Sequence, residues 1–217
     1  VEPIAESLAI GWPSSSVSGW GVYGLNLTLE LIKQDRNPIW VSPPHLLDVD
    51  RATMATLRPV LQRQHNLAEL LAKTGFLEFD FPALHSLRND FLPSLEDQII
   101  RGSRNVGVIF FENTEFSRAG MARAQKYDLI ITGSTWNREF LEACGLKHVV
   151  TVFQGIDETL FHTENEATGY PGRFVIFSGG KLEYRKAQDV VIAAFREFQR
   201  THEDALLLCA WANQWPK

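Results

Sequence analysis

Cysteine and long apolar runs are scarce in this sequence, and each scarcity excludes a class of protein. The 217 residues contain 2 cysteines, Cys144 and Cys209, whose wide separation matches neither a metal-binding nor a redox spacing. We expect both to be buried thiols of a protein kept in a reducing compartment. The longest apolar runs, such as Val106–Phe111 and Ala205–Trp211, are too short to span a bilayer and are typical of buried strands.

An excess of positive charge is also lacking. The formal net charge is -5 and the sequence pI is about 5.7, which argues against a nucleic-acid partner but leaves room for a local basic pocket. The opening residues, "VEPIAE", have no basic region followed by an apolar core, so the pattern predicts no secretory signal. We therefore expect a cytoplasmic protein.

Short apolar runs alternate with amphipathic stretches along the chain. The predicted strands are Leu8–Trp12, Ile39–Ser42, Leu77–Leu84, Val106–Phe111, Leu129–Thr132, Val149–Phe153, Phe174–Ser178 and Ala205–Trp211. The predicted helices are Gly21–Gln34, Arg51–Lys73, Pro93–Arg101, Ser117–Lys126, Thr135–Cys144 and Ala187–Arg200. This alternation predicts an α/β fold, in which a Rossmann-like parallel sheet has helices on both faces. Ser134 is predicted to cap the helix that follows it, and Gly145 to end that helix.

A polar segment, "TENEATGYPG" at 163–172, predicts a domain boundary. We expect residues 1–168 to form a first Rossmann-like domain and residues 169–217 to begin a second, incomplete one. A β-α-β unit of about 45 residues cannot bury both faces of its sheet alone. Its strands are expected to have unpaired edges, which favour pairing with a second copy of the chain.

Gly19, Gly21 and Gly24 have the G-x-G-x-x-G spacing of a dinucleotide-binding loop. Such a loop follows its strand directly and is paired with a distant acidic residue on the ribose. Here Pro13–Ser18 intervene, and the strand candidate Ile39–Ser42 ends without a carboxylate. An NAD-dependent oxidoreductase or epimerase is therefore an alternative rather than the first interpretation. The glycines predict either a simple turn or a close backbone approach to an anion at a helix N-terminus.

The most informative stretch is "FSGGKLEYRKAQDVVIAAF", which begins at Phe177. A strand is predicted to end at Gly179 and Gly180, and the cations Lys181 and Lys186 follow before a helix opens. Close backbone approach, convergent lysines and a helix N-terminus together favour a diphosphate. The alternative is an exposed basic turn whose charge is balanced by Glu183 and Asp189.

This stretch resembles the donor-phosphate loop of retaining GT-B glycosyltransferases of the group 1 class, which have two facing Rossmann-like domains. In that family a Gly-Arg or Gly-Lys pair after the first strand of the second domain is followed by Lys-Gly and a D-x-x-I-x-A-F helix. The resemblance places Lys181 and Lys186 in the two cationic positions. Two departures are Lys181 itself, where arginine is commoner, and Ala187, where glycine is usual.

A second stretch, "DLIITGSTWNREFLEACGL" followed by "VVTVFQGIDETLF", resembles the end of that family's first domain. Gln154–Asp157 and Phe161 match its Asn/Gln-Gly-Ile/Val-Asp…Phe motif, although the local alternative is a tight turn. The resemblance also implies that Gly19 and Gly21 belong to a loop facing the donor phosphates. We expect a side chain at Gly21 to block that approach while leaving the core little changed.

The resemblance implies transfer of a sugar from a nucleotide-diphosphate donor to a hydroxyl acceptor, with no cofactor and no bound metal. The lysine pair and the helix dipole would stabilise charge on the leaving diphosphate. Among side chains predicted to follow strands, His85 and Glu112 are the catalytic candidates, and which of them contacts substrate stays open. Each also has a structural interpretation, as a satisfied buried imidazole and as a capping or salt-bridge residue.

Three further expectations complete this interpretation. The basic helix Arg51–Lys73 could rest on an anionic membrane surface, although a solvated face is the commoner role of such a helix. Trp20 and Tyr23 could stack on a sugar, with core packing as the alternative. The 217 residues are expected to be a fragment that binds phosphate groups without transferring sugar, and a non-catalytic binding module is the remaining alternative.

Overall fold

The computed structural model describes residues 6–94, 96–158, 161 and 169–213. The chain divides into two compact units, unit 1 at Val1–Asp157 and unit 2 at Glu158–Lys217. The boundary predicted at residue 168 lies outside the described residues, as does most of the polar segment that suggested it.

Unit 1 is an α/β unit built on a mostly parallel sheet flanked by helices, as the alternating pattern predicts. Its strands are β1 Ser7–Ile10, β2 Asn37–Trp40, β3 Leu77–Glu78, β4 Ala83–Arg88, β5 Leu92–Pro93, β6 Ile100–Arg101, β7 Asn105–Ile109, β8 Leu129–Thr132 and β9 Val149–Thr151. Its α-helices are α1 Gly19–Lys33, α2 Arg51–Thr74, α3 Arg118–Ala124 and α4 Thr135–Ala143.

The main sheet has the strand order β2-β1-β4-β7-β8-β9, with all of these neighbours parallel, and β5 joins β4 in the antiparallel sense. The short strands β3 and β6 form a separate parallel pair. From β1 the chain moves first to β2 on one side and later to β4 on the other. The order therefore reverses at β1, and in open α/β sheets ligands bind beyond the carboxyl ends of the strands at such a point.

The helices of unit 1 begin where a side chain satisfies their first backbone N–H groups. Ser18, Asp50, Ser117 and Ser134 each accept a hydrogen bond from the N–H three residues later, at 2.7–3.2 Å. This confirms the predicted cap at Ser134. Gly145 has φ +94° just after the end of α4, a left-handed conformation that favours glycine, so the predicted stop is confirmed as well.

Two sequence-based assignments are wrong. The predicted strand Leu77–Leu84 is two strands, β3 and β4, separated by a bend. The predicted helix Pro93–Arg101 is absent, because Pro93 pairs with Leu87 in β4 and a 3-10 turn at Glu96–Ile99 leads into β6. The chain reverses before β5 through Asp90 and Phe91, which have φ +60° and +55°.

The described part of unit 2 contains two parallel strands and one α-helix. β10 Phe174–Lys181 pairs along its whole length with β11 Ala205–Ala212, and α5 Gln188–Gln199 connects them. Of the residues of unit 2 that the structure describes, Ala205 is the only one that is buried. The expected buried cysteines are a wrong prediction: Cys209 lies on β11 and Cys144 at the end of α4, and both are exposed.

Within the described ranges, no helix combines the length and the apolar character that crossing a membrane requires.

Candidate functional site

The glycine motif forms the start of a helix. Gly19 is the first residue of α1, and Gly21 and Gly24 lie in its first two turns. The helix predicted at Gly21–Gln34 therefore begins two residues earlier than expected, and the expectation that Gly19 and Gly21 lie in a loop is wrong. A Cβ on Gly21 would lie 2.7 Å from the backbone N of Ser15 and 2.6 Å from Ser18 Oγ. Gly21 is buried, so its missing side chain serves the packing of α1 on the segment after β1. The expectation that a side chain at this position spares the fold is therefore wrong.

Gly24 has the same kind of role one turn later. A Cβ there would lie 2.7 Å from Trp12 Nε1 and 2.9 Å from Ser14 Oγ. These two polar atoms are buried and have no hydrogen-bond partner. Gly19 differs, because a Cβ there would meet nothing within 4 Å. Of the three glycines, Gly19 is thus the one whose backbone is open to a ligand at the helix N-terminus.

Four aromatic rings gather where β1, α1 and β7 meet. Trp12 stacks on Tyr23 with centroids 5.6 Å apart, and Trp20 meets Trp12 edge-on at 5.2 Å. Phe110, which follows β7, contacts both Trp20 and Tyr23. Burial raises the pKa of the Tyr23 phenol above its ordinary range. The rings of Trp20 and Tyr23 are therefore part of the packing at this edge of the sheet, which is their structural interpretation.

His85 lies inside a strand rather than beyond one, contrary to the prediction. It is the third residue of β4, paired with Gly107 of β7, and it is 3% exposed. Its Nε2 is 2.9 Å from Asn105 Oδ1, which also accepts the Gly102 N–H at 3.0 Å. Because that oxygen is an acceptor, Nε2 carries the proton and donates to it. His85 thus links β4 to the beginning of β7 instead of following the carboxyl end of a strand.

Glu112 lies where the sequence places it, beyond the carboxyl end of β7, and it is exposed. The residue before it is held firmly: Phe111 is buried, and its carbonyl accepts a hydrogen bond from Asn137 Nδ2 at 3.1 Å. Asn137 is a buried residue in the first turn of α4. Sequence reasoning missed this positioning residue, although its place three positions after the cap Ser134 was a usable signal.

The strand that leads into the loop between β10 and α5 is longer than predicted. β10 does not end at Ser178 but continues through both glycines to Lys181, which is paired with Ala212. Gly180 has φ +131°, a conformation that side chains rarely adopt. Gly179 and Gly180 are therefore the twisted end of a strand, and Lys181 is its last residue.

Cations surround one carboxylate in this loop. Lys181 Nζ lies 2.7 Å from Glu183 Oε1, and Arg185 Nε lies 3.4 Å from Glu183 Oε2. The hydrogen bond from Lys181 is the main cause that holds the pKa of Glu183 below its ordinary range, and the charges of Arg185 and Lys186 act in the same direction while burial opposes them. The balance of charge predicted as an alternative is thus present at Glu183.

The helix after this loop, α5, is preceded by a residue in an unusual backbone conformation. Ala187 has φ +52° and ψ +43°, in the left-handed region, and it supplies no side-chain hydrogen bond to the first turn of α5. The first N–H groups of a helix have no partners within it, so α5 presents an uncapped, positive end to the loop. Gln188 Nε2 donates to the Lys181 carbonyl at 2.9 Å and ties the helix start to the end of β10. Sequence reasoning missed Gln188.

A shallow depression of about 400 Å³ lies on this loop, lined by Leu182, Glu183, Tyr184, Gln188 and Asp189. In the part of the chain that the structure describes, no group of three or more His, Cys, Asp or Glu side chains could hold a metal ion. The residues lining the depression include the carboxylates Glu183 and Asp189, whereas the cations Lys181, Arg185 and Lys186 belong to the same loop but not to this lining.

No protein-family model matches the sequence, and no curated protein is similar to it at a significant level.

Proposed function

We propose that the protein is a glycosyltransferase of the GT-B type, which moves a sugar from a nucleotide-diphosphate donor to a hydroxyl acceptor. The observation that carries the proposal is the loop between β10 and α5, where Lys181, Arg185 and Lys186 act on one carboxylate beside an uncapped helix N-terminus. Cations and helix N–H groups at the carboxyl end of a parallel strand form the usual setting of a phosphate site.

The conformation of Ala187 supports the resemblance on which the proposal rests. The resembled family has glycine at this position, and the left-handed φ of Ala187 is one that glycine adopts without strain. The backbone thus has the shape that the family's glycine would favour, although the side chain differs. A sequence departure that first counted against the resemblance becomes compatible with it.

In the proposed reaction the bond between the sugar and the diphosphate breaks, and negative charge develops on the leaving diphosphate. Lys181, Lys186 and the N-terminus of α5 would stabilise that charge in place of a metal. Glu112 is the better placed of the two catalytic candidates, because it is exposed beyond the carboxyl end of β7, whereas His85 is buried within β4. Gly19 remains a candidate for contact with the donor.

Calorimetric titration with UDP, GDP, ADP and inorganic pyrophosphate tests the phosphate site. We expect the combined Lys181→Ala and Lys186→Ala variant to bind these ligands at least about tenfold more weakly, since two charge-assisted contacts are lost at a partly exposed site. Arg196→Ala is the matched control, because it removes an exposed cation of α5 outside the loop. Equal affinities of the wild-type chain and the double variant would contradict the assignment.

Two further measurements separate the alternatives. Binding of NAD that the double variant leaves unchanged would favour the oxidoreductase interpretation. Donor hydrolysis measured beside donor binding separates an enzyme from a module that only binds, because the first releases free sugar and the second does not.

A further inference from the structure

We infer that Glu183 is a resident counter-anion of the loop, which a diphosphate must displace in order to bind. The inference rests on the proposed diphosphate site and concerns how that site is controlled. Glu183 would then set the affinity of the loop without contacting the reacting atoms.

Glu183 is less exposed than the two cations it pairs with. The Glu183 side chain is 21% exposed, whereas its partners Lys181 and Arg185 are 32% and 56% exposed. The Glu183 side chain is therefore less accessible to solvent than either of the cations it pairs with. An anion that approaches from solvent meets cations already oriented toward a negative charge.

One carboxylate oxygen of Glu183 has no hydrogen-bond donor. Its Oε1 is paired with Lys181 at 2.7 Å, but its Oε2 is buried and has no hydrogen-bond partner. The 3.4 Å separation from Arg185 Nε is an ion-pair distance only. A buried acceptor without a donor destabilises this conformation, and the carboxylate oxygen regains hydrogen bonds when it moves into water. Displacement of Glu183 is therefore easier than its short contact with Lys181 suggests.

The segment 181–186 has an excess of positive charge. It carries the three cations Lys181, Arg185 and Lys186 and one carboxylate, Glu183, so it remains net positive while Glu183 is in place. A diphosphate offers more anionic oxygens than one carboxylate and can satisfy cations on both sides of the loop. An anion of low charge interacts too weakly with the cations to compensate for the lost contact between Glu183 and Lys181. Glu183 thus keeps the cations ordered in the absence of substrate and discriminates against weakly charged anions.

Titration of the 217-residue chain with inorganic pyrophosphate at constant ionic strength tests this inference. We expect Glu183→Gln to bind pyrophosphate about fivefold more tightly than the wild-type chain, the upper range for a partly exposed ion pair. Asp189→Asn is the matched control, because Asp189 is an exposed carboxylate that lines the same depression and its replacement changes the net charge equally. It should change the affinity less than about twofold. Glu183→Ala provides a second variant, and it should also bind more tightly.

The possible outcomes distinguish the displacement of Glu183 from the existence of the phosphate site. If the wild-type chain binds and neither variant of Glu183 binds more tightly, the displacement inference is wrong while the phosphate site stands. If Asp189→Asn tightens binding as much as Glu183→Gln, net charge explains the effect and the inference is again wrong. If none of these proteins binds pyrophosphate, both the inference and the proposed phosphate site are refuted.

Discussion

Alanine at Gly21 should destabilise unit 1, whereas alanine at Gly19 should not. Both residues lie in the first turn of α1, but their surroundings are opposite. A Cβ on Gly21 would lie 2.7 Å from the backbone N of Ser15, with Ser15 Cβ still closer, whereas a Cβ on Gly19 would meet nothing within 4 Å. The two substitutions make the same chemical change, so their difference isolates the close approach of the helix to the segment after β1.

The magnitude follows from two opposing effects at Gly21. Replacing glycine by alanine within a helix favours folding by up to about 1 kcal/mol. Overpacking costs about 1–3 kcal/mol or more, and the upper range applies here because a backbone atom of Ser15 must move. We expect a net loss of about 2 kcal/mol for Gly21→Ala. Gly19→Ala should be neutral or stabilising by less than about 1 kcal/mol.

Urea unfolding followed by far-ultraviolet circular dichroism measures both variants against the wild-type chain. Gly21→Ala should unfold at a lower urea concentration with an unchanged slope, and Gly19→Ala at the wild-type concentration or above it. If Gly21→Ala is as stable as Gly19→Ala, the helix does not need the close approach that the structure shows. The glycine at position 21 would then need another explanation, such as the ligand contact inferred from its motif.

Three other substitutions test the caps and the turns. Ala187→Gly should raise the melting temperature of unit 2 in calorimetry, because it relieves left-handed strain of about 1–2 kcal/mol against a smaller entropic loss of about 0.4–1 kcal/mol; a lower melting temperature would contradict this. Ser134→Ala should cost about 1 kcal/mol of unfolding free energy in urea, since Asn137 N–H loses its acceptor, and an unchanged midpoint would be the opposing result. Hydrogen bonds from Ser117 hold the pKa of Asp90 below its ordinary range, with the charge of Arg123 adding to them, so its stabilisation is present above the unfolded-state pKa and lost as the pH falls through the folded one. Asp90→Asn should therefore lower stability at neutral pH and weaken its fall in acid, and parallel acid profiles for variant and wild type would refute this.

Local signals were enough to predict much of the fold. The strand at Leu129–Thr132 was predicted with its observed ends, because an apolar run there meets a serine cap directly. The region after β4 was not predictable in this way. Its path depends on the positive φ angles of Asp90 and Phe91 and on contacts with Ser117 and Arg123, which lie far along the chain. The periodicity of apolar residues along the sequence does not predict such contacts.

The glycine motif shows why spacing alone was ambiguous. A turn and the first turns of a helix can have the same G-x-G-x-x-G spacing, and the two differ in what the backbone N–H groups bind. Ser18, three residues before Gly21, was the available sign of a helix cap. For the loop of unit 2, the sequence predicted the cations and gave Glu183 and Asp189 as the charges that could balance them. It could not show that Glu183 pairs with Lys181 at 2.7 Å, because that depends on side-chain conformation.

The cluster of Trp12, Trp20 and Tyr23 also gives the protein an optical property. The rings of Trp12 and Tyr23 are nearly parallel, with an interplanar angle of 12°, whereas Trp20 is tilted from Trp12 by 64°. Aromatic rings held in fixed tertiary packing contribute to near-ultraviolet circular dichroism, and that contribution is lost when the packing is lost. Because the rings lie where α1 follows β1, their contribution to the signal depends on the packing of this helix against the sheet. Near-ultraviolet circular dichroism can therefore follow this edge of unit 1 without any label.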